Sequence, residues 1–466
     1  ATEEQINGLL SGLGAQVDKS MADIAVYRLI YPEAMTYEEL NALVEQLKAD
    51  PLVEDAYLNE LTEQGTDEIT AGTDTGSGAE ETARDPVCPD DPWNGASWDT
   101  GVPRDENWGV EAIDAPGAWA YRDQMQQVRV GLIDSQVDAG HEDLPDVHST
   151  VFFTDMNSGE TVANIRAIPA DDHGTHVAGT IDADWNNDTG VSGVMGGKGD
   201  LYYSALYYLS NGKAQTNYGT AFSYVLELKT LIDQDVQVIN ISQNTSRLIG
   251  FAASRGNQNA IDYLTRQATL AEKALLRIIT ERQAAGKPDF VICVAAGNSN
   301  ATEYYKDEKQ PYGYRENPTL TEYFLMAFGW KGERGDSLAL YNNFLSLMDE
   351  PEVKNRVIVV GAVNIDEQLS TKTETRYEYC YFSNVGDRVD IVAPGWDVWS
   401  SVPGGYEGMS GTSMATPHVT GVAGLVFACN PSLSGPQVKE ILRSTVQGRY
   451  TYTGGYSGCL LYTSDA

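Results

Sequence analysis

Short apolar runs recur through most of the chain, separated by longer stretches with helical spacing. Residues 128–133, 201–209, 237–241, 290–295, 357–363 and 388–393 predict strands, and residues 173–183, 222–232 and 259–284 predict helices. Strands alternating with helices predict an α/β domain of three layers around a mainly parallel sheet. In such sheets ligands bind beyond the carboxyl ends of the strands. Asp134 and Asn298 directly follow two of these strands, so the topology puts both on that edge.

The N-terminal region has a different rhythm. Residues 24–30 and 53–58 predict strands. Between them Thr36 and Glu39 form a capping-box signature ahead of an apolar stripe at Leu40, Leu43, Val44 and Leu47. This predicts a small α+β unit over residues 1–61. Residues 62–86 are rich in Gly, Thr, Asp and Glu, with Arg84 as the only base. That composition predicts a flexible acidic linker. A larger domain spans 87–458, with insertions expected at 245–285 and 299–353. The second insertion carries Tyr304, Tyr305, Tyr312, Tyr314, Tyr323, Phe324, Phe328, Trp330 and Tyr341 and reads as a surface excursion with its own apolar patch. Residues 459–466 read as a non-native or truncated end.

One stretch, residues 408–426, concentrates small residues and hydroxyls before turning apolar. Gly411, Thr412 and Ser413 read as a loop feeding a buried helix, with Pro417 in its tolerated first turn. Ser413 then lies at a helix N-terminus, where the dipole favours developing negative charge. An isolated serine there is most simply a cap, so its meaning depends on what else the chain supplies.

Charge narrows the function classes. The 466 residues carry 67 acidic and 31 basic side chains, a net charge of −36. That argues against nucleic acid or an anionic membrane as partner, since both require a positive face. No apolar run is long enough to span a membrane. Five cysteines form neither a disulfide framework nor a metal spacing, and Cys293 inside an apolar strand reads as a small buried hydrophobe.

Three further segments complete the chemistry begun at Ser413. Gly131-Leu-Ile-Asp-Ser-Gln136 sets Asp134 at a strand end. Asp172-His-Gly-Thr-His-Val-Ala-Gly-Thr180 opens a small-residue helix with His173. Val294-Ala-Ala-Gly-Asn-Ser299 sets the Asn298 amide at another strand end. A serine hydroxyl needs an adjacent base, a histidine can take and return the proton, and a buried aspartate fixes the ring tautomer. An amide N–H aimed at the tetrahedral oxyanion adds electrostatic stabilisation. His173 and His176 are spaced like metal ligands, but no third ligand lies nearby in sequence. His176 and His418 read as packed structural residues.

The order Asp134, His173, Asn298, Ser413 resembles the subtilisin family of serine proteases over residues 105–450. The resemblance implies endopeptidase activity on protein or peptide substrates. Ser413 would be nucleophile, His173 base and acid, Asp134 orienting acid and Asn298 oxyanion donor. It implies a calcium loop at residues 185–191, with the carbonyls of Trp185, Thr189 and Val191, the side chain of Asn187 and the carboxylate of Asp143. A sixth ligand is expected near Arg104 or Asp105. It also implies a substrate cleft walled by Ser242, Gln243 and Asn244 on one side and Ala295, Ala296 and Gly297 on the other. The chain departs from the family there: Gln243-Asn244 stands in place of the usual Leu-Gly, and Gln136 in place of a glycine.

By the same resemblance, residues 1–61 are a ferredoxin-like propeptide that assists folding and inhibits its own enzyme, with the cut between Leu58 and Pro86. The implied protein is a secreted or cell-surface monomer. Two other readings compete: a catalytically silent binding protein using the aromatic insertion, and a metal hydrolase using His173 and His176. An intact constellation of four residues favours the protease.

Overall fold

A computed structural model describes residues 3–31, 35–58, 62–63, 86–87, 89–92, 107–155, 161–163, 169–210, 213–215, 218–244, 247–254, 256–298, 338–365, 377–380, 382–446, 448–451 and 457–460. Seven parallel strands form the centre of its largest sheet. Their spatial order is Val147–Asp155, Gly199–Ser210, Val128–Ile133, Val238–Ile241, Val291–Ala295, Val357–Ile365, Ile391–Pro394. Ser457–Leu460 continues the parallel run beside Ile391–Pro394, and antiparallel strands are added beside these, among them Thr161–Ala163 at one edge and Gly448–Thr451 at the other. The last strand therefore includes Cys459 and Leu460, two residues of the stretch expected to be foreign. Residues 461–466 lie outside the described residues.

Side chains of consecutive strand residues enter opposite layers, as the two-residue pleat requires. Val130, Val291, Cys293 and Ile358 join the core holding the helices Asp172–Asp182 and Thr412–Cys429. Ile292, Val294, Val357 and Val359 join the one holding Ala221–Asp233 and the 27-residue helix Gln258–Ala284. The three-layer expectation is met. Cys293 is fully buried, and burial pushes its thiol up to about 12, which leaves it an inert hydrophobe. Among the described residues no helix is long and apolar enough to cross a membrane.

The chain turns from one half of the sheet to the other at Val128–Ile133. From there it first builds the side containing Gly199–Ser210 and later the side containing Val238–Ile241. This is the switch point at which open α/β sheets leave a crevice, and Asp134 is the first residue beyond that strand.

The N-terminal unit departs from expectation. It consists of helix Glu3–Leu13, a hairpin of Gln16–Met21 with Val26–Ile30, and helix Tyr37–Lys48. The Thr36–Glu39 capping box forms: the Glu39 N–H donates to Thr36 Oγ1 at 3.2 Å and the Thr36 N–H to Glu39 Oε2 at 2.7 Å. Residues 53–58 do not form the expected strand. Instead their acids meet the long helix: Lys273 Nζ lies 2.6 Å from Asp55 Oδ2, and Arg277 pairs with Glu54. Side-chain partners from another element thus take over where ladder partners were expected.

The aromatic insertion also departs from expectation where it is described. Residues 299–337 lie outside the described residues, but Ala339, Phe344, Leu345 and Met348 are buried in the main core, not in a separate surface patch. A strand at Val147–Asp155 and a hairpin of Val398–Val402 with Gly405–Met409 were not anticipated at all. The hairpin packs on the His173 helix, and its Val398 carbonyl accepts a 2.7 Å hydrogen bond from His176 Nε2.

His176 and His418 are buried and neutral, each donating one ring N–H to a backbone carbonyl. Burial pushes His176 down to about 3 and His418 down to about 4. The unfolded chain protonates both near the ordinary value of about 6.5. Their stabilisation is therefore complete above that pH and is lost as pH falls, each ring costing about 1.4 kcal/mol per pH unit until its folded value is reached. Calorimetric unfolding at pH 5 should take up about two protons through these rings. His418→Gln should remove about one of them, and an unchanged uptake in the variant contradicts the assignment.

Candidate active site

Asp134 Oδ1 lies 2.6 Å from His173 Nδ1, and both side chains are almost completely buried. An ionised carboxylate only accepts, so Nδ1 carries the proton and Nε2 is the basic nitrogen. Two residues not anticipated as parts of the site hold this pair. Asp171 caps the histidine's helix, its Oδ1 accepting the His173 N–H at 3.1 Å and the Ser135 hydroxyl at 2.6 Å. Ser135 Oγ in turn accepts the Gly174 N–H at 3.0 Å. The strand end bearing the acid is thereby stitched to the first turn of the base's helix. An Asp-Asp pair directly before His-Gly is an N-cap signal that could have disclosed Asp171. Gln136 does not disturb the loop: its carbonyl accepts the Asp171 N–H at 2.7 Å.

Ser413 is the second residue of helix Thr412–Cys429, which therefore begins before the point expected from Pro417. Pro417 lies inside the helix and has no N–H to give the carbonyl of Ser413, four residues earlier. Ser242 fills that vacancy: its Oγ donates to Ser413 O at 2.8 Å, while Ser413 Oγ donates to Ser242 O at 3.0 Å. The prolines and hydroxyls that look unrelated in sequence thus form one joint between helix and cleft wall.

Asn298 Oδ1 accepts both the Thr412 N–H and the Thr412 hydroxyl, each at 2.9 Å. With its oxygen taken, this amide has only N–H groups to offer the cleft that Asn298 and Ser413 both line. Ser242, Gln243 and Asn244 form one wall of that cleft and Ala295 and Gly297 the other. Ala296 does not line it. Its N–H donates to Val360 O at 2.8 Å and its carbonyl accepts Asn384 Nδ2 at 2.8 Å, which turns it into the sheet. Asn342 lies beside these small residues, its Nδ2 donating to Ala295 O at 3.1 Å. Gln243 points its amide oxygen at the buried Tyr224 hydroxyl, 3.5 Å away.

Of the residues expected to bind calcium, Asp143, Asn187 and Val191 meet. Asp143 is fully buried and accepts Asn187 Nδ2 at 2.9 Å and the Val191 N–H at 3.0 Å. Asn186, Asp188 and Gly190 take positive φ, which alternates the backbone between Trp185 and Val191. Asp91 joins the loop, its carboxylate accepting the N–H groups of Asn186 and Asn187 at 2.9 and 2.8 Å. Arg104 and Asp105, near which a further ligand was expected, lie outside the described residues. Burial, Asp91 and Asp184 together push Asp143 up to about 7. The groups expected to hold the ion, the Asp143 carboxylate, the Asn187 side-chain oxygen and three backbone carbonyls, are all oxygens, the donor type that calcium takes. Among the described residues no three His, Cys, Asp or Glu side chains cluster to hold a metal, so backbone carbonyls would have to supply much of the shell.

The sequence profile of the subtilase family matches residues 125–458. Subtilisin of Bacillus pumilus is 28% identical over 352 residues, covering 74% of this chain and 92% of that protein. Subtilisin E of Bacillus subtilis is 28% identical over 352 residues, and the chain spans 66% of its length. Subtilisin-like protease 1 of Plasmodium falciparum is 26% identical over 363 residues, 74% of this chain and 44% of that one. A crystal structure of a cold adapted subtilisin-like serine proteinase aligns at TM-score 0.42 and 23% identity, over 72% of this chain and 89% of that one.

Gly174 tests the stitched pair. A helical glycine usually gains about 1 kcal/mol on replacement by alanine, but a Cβ here would meet Ser135 O at 2.1 Å. Gly174→Ala should push the Asp134 strand end from the His173 helix. Turnover of a peptide ester should fall by about a hundredfold, the cost of an ångström-scale misplacement. Turnover at the parent level would show that the stitch is dispensable.

Proposed function

The chain belongs to the subtilase family, and from that premise we propose that it is a serine endopeptidase made as a self-processing, calcium-stabilised zymogen. The observation that carries the catalytic reading is the buried 2.6 Å Asp134–His173 contact, on a helix packed against the one that begins at Thr412 and Ser413. On substrate binding, rotation about the Ser413 Cα–Cβ bond swings the hydroxyl from Ser242 O to His173 Nε2. Nε2 takes the proton as Ser413 Oγ bonds to the scissile carbonyl carbon. Asp134 stabilises the resulting imidazolium. Asn298 Nδ2 donates to the oxyanion. His173 then returns the proton to the leaving amine as the C–N bond breaks, and water repeats the sequence on the acyl-enzyme.

The N-terminal unit is the inhibitor in this reading. Met21 and Ile24 share a core with Phe222, Leu226 and Ile278 of the two outer helices. The Ile24 carbonyl accepts Arg277 Nη1 at 2.7 Å, and Arg28 lies over the Phe222 ring at 5.5 Å. Thr62–Glu63 then pairs antiparallel with Tyr218–Gly219, just ahead of helix Ala221–Asp233. In this reading the linker that follows is cut in the cleft. Residues 64–85 lie outside the described residues.

Calcium is held in this reading by Asp143, by Asn187 and by the carbonyls of Trp185, Thr189 and Val191, with Asp91 alongside. Bound there, calcium would supply positive charge to the buried Asp143 carboxylate, beside the loop that follows the His173 helix. A site of this kind suits the calcium of extracellular fluid, which fits action outside the cytosol.

Ser413→Ala should abolish fluorophosphonate labelling and casein hydrolysis and leave residues 1–61 attached. The expected loss in turnover is about a million-fold, the known cost of removing the serine from subtilisins themselves. Self-maturation by this variant would refute the reading. Excess chelator should lower Tm by several degrees, since calcium at a hundred times its Kd stabilises by about 2.7 kcal/mol. Asp143→Asn should remove that sensitivity, whereas a melting curve indifferent to chelator would remove the calcium assignment.

A further inference from the structure

The floor of the cleft comes from the end of the aromatic insertion. Helix Leu338–Asn342 delivers Asn342, and Asn343 follows it. Asn342 Nδ2 donates to Ala295 O on one wall at 3.1 Å, and Asn343 Nδ2 to Gln243 O on the other at 3.2 Å. Asn342 Oδ1 sits so close beneath Gly297 that a Cβ there would meet it at 2.0 Å. The floor is also anchored. Asn343 Oδ1 accepts the Leu345 N–H at 3.0 Å, and Phe344 is fully buried edge-on to Tyr224 at 5.3 Å. The side chains above this floor are Ser, Gln, Asn, Thr and Ala, without a large apolar group. The empty space between these residues is about 190 Å³, part of it open solvent.

We propose that Asn342 sets the cleavage preference: the cleft takes a short polar side chain, such as Ser, Thr or Asn, on the residue whose carbonyl is attacked, and turns away Phe, Tyr and Leu. This rests on the endopeptidase reading of Ser413. The physical reason is twofold. A large ring meets the Asn342 side chain before it is buried. An apolar group that does enter strips water from the amides without replacing their hydrogen bonds. Sites built to hydrogen-bond a substrate hydroxyl or amide discriminate strongly against analogues that lack one. Small residues on the walls alone suggest a roomy pocket; the asparagine from the insertion reverses that.

The test uses the full chain, matured by its own activity, and peptide anilides that differ only in the residue before the scissile bond: Ser, Asn, Leu and Phe. Each kcat/KM is expressed per fluorophosphonate-labelled site, so that unfolded protein does not count. The parent should favour Asn and Ser over Phe and Leu by at least about tenfold. Asn342→Ala should raise kcat/KM for Phe about tenfold, mainly through KM, and lower it for Asn. Asn342→Asp should keep the rejection of Phe. A labelled parent that prefers Phe or Leu overturns the specificity proposal and leaves the endopeptidase reading standing. Labelled Asn342→Ala with the parent's preference does the same. A parent that neither labels nor cleaves any anilide sinks the endopeptidase reading, and this proposal with it. Should Asn342→Ala not label, the parent's own ranking and its inhibition by Asn- against Phe-terminated peptide aldehydes decide: tighter binding of the Phe aldehyde refutes the proposal.

Discussion

A helix without a solvent face constrains the rest of the molecule. Every residue from Thr412 to Ala428 is buried, so each polar group on it must find a partner within the protein. Thr416 Oγ1 donates to Thr412 O, His418 Nδ1 to Met414 O, and Thr420 Oγ1 to Asn240 Oδ1. Asn240 Nδ2 donates to Ser242 Oγ, which donates to the carbonyl that Pro417 leaves open. The satisfaction of one proline's missing N–H therefore runs through the strand Val238–Ile241 to the wall of the cleft. The serine's position follows from this accounting as much as from its own chemistry.

Close packing around the helix explains its small residues. A Cβ on Gly421 would meet Val194 at 2.5 Å, and one on Gly424 would meet Met195 at 2.6 Å. The turn after residues 185–191 therefore lies directly against the helix. That turn and the helix bearing the serine share one contact surface, so the stability of one bears on the placement of the other.

Charge is organised by the same economy. The chain is strongly acidic, yet its bases meet acids of the N-terminal unit: Lys229 with Asp23, Lys273 with Asp55 and Arg277 with Glu54. The partly exposed Lys273 and Arg277 pairs contribute little each, and the shared apolar core of Met21 and Ile24 gives the larger part of the docking. The pairs set its register. At the other end of the sheet, buried Asp390 is held below the usual carboxylate range against the burial that opposes it. The agents are Arg388 and Lys439, whose Nζ lies 2.9 Å away.

Periodicity and local chemistry determined much of this by themselves. The parallel strands from 128–133 to 388–393, the helices between them and the Thr36–Glu39 cap follow from spacing and short-range bonding. Asp134, His173, Asn298 and Ser413 stood out because strand ends and helix starts are local features. Tertiary structure decided what depends on partners distant in sequence. Residues 53–58 have strand propensity but meet Lys273 and Arg277 instead of a neighbouring strand. Helix Thr412–Cys429 starts early because Ser242, 171 residues away, completes it. Ala296 turns into the sheet, Asp91 reaches the loop of residues 185–191, and Asn342 joins the small residues that line the cleft. A side chain's type is written locally, but the space and hydrogen bonds left for it are set by whatever the fold brings opposite.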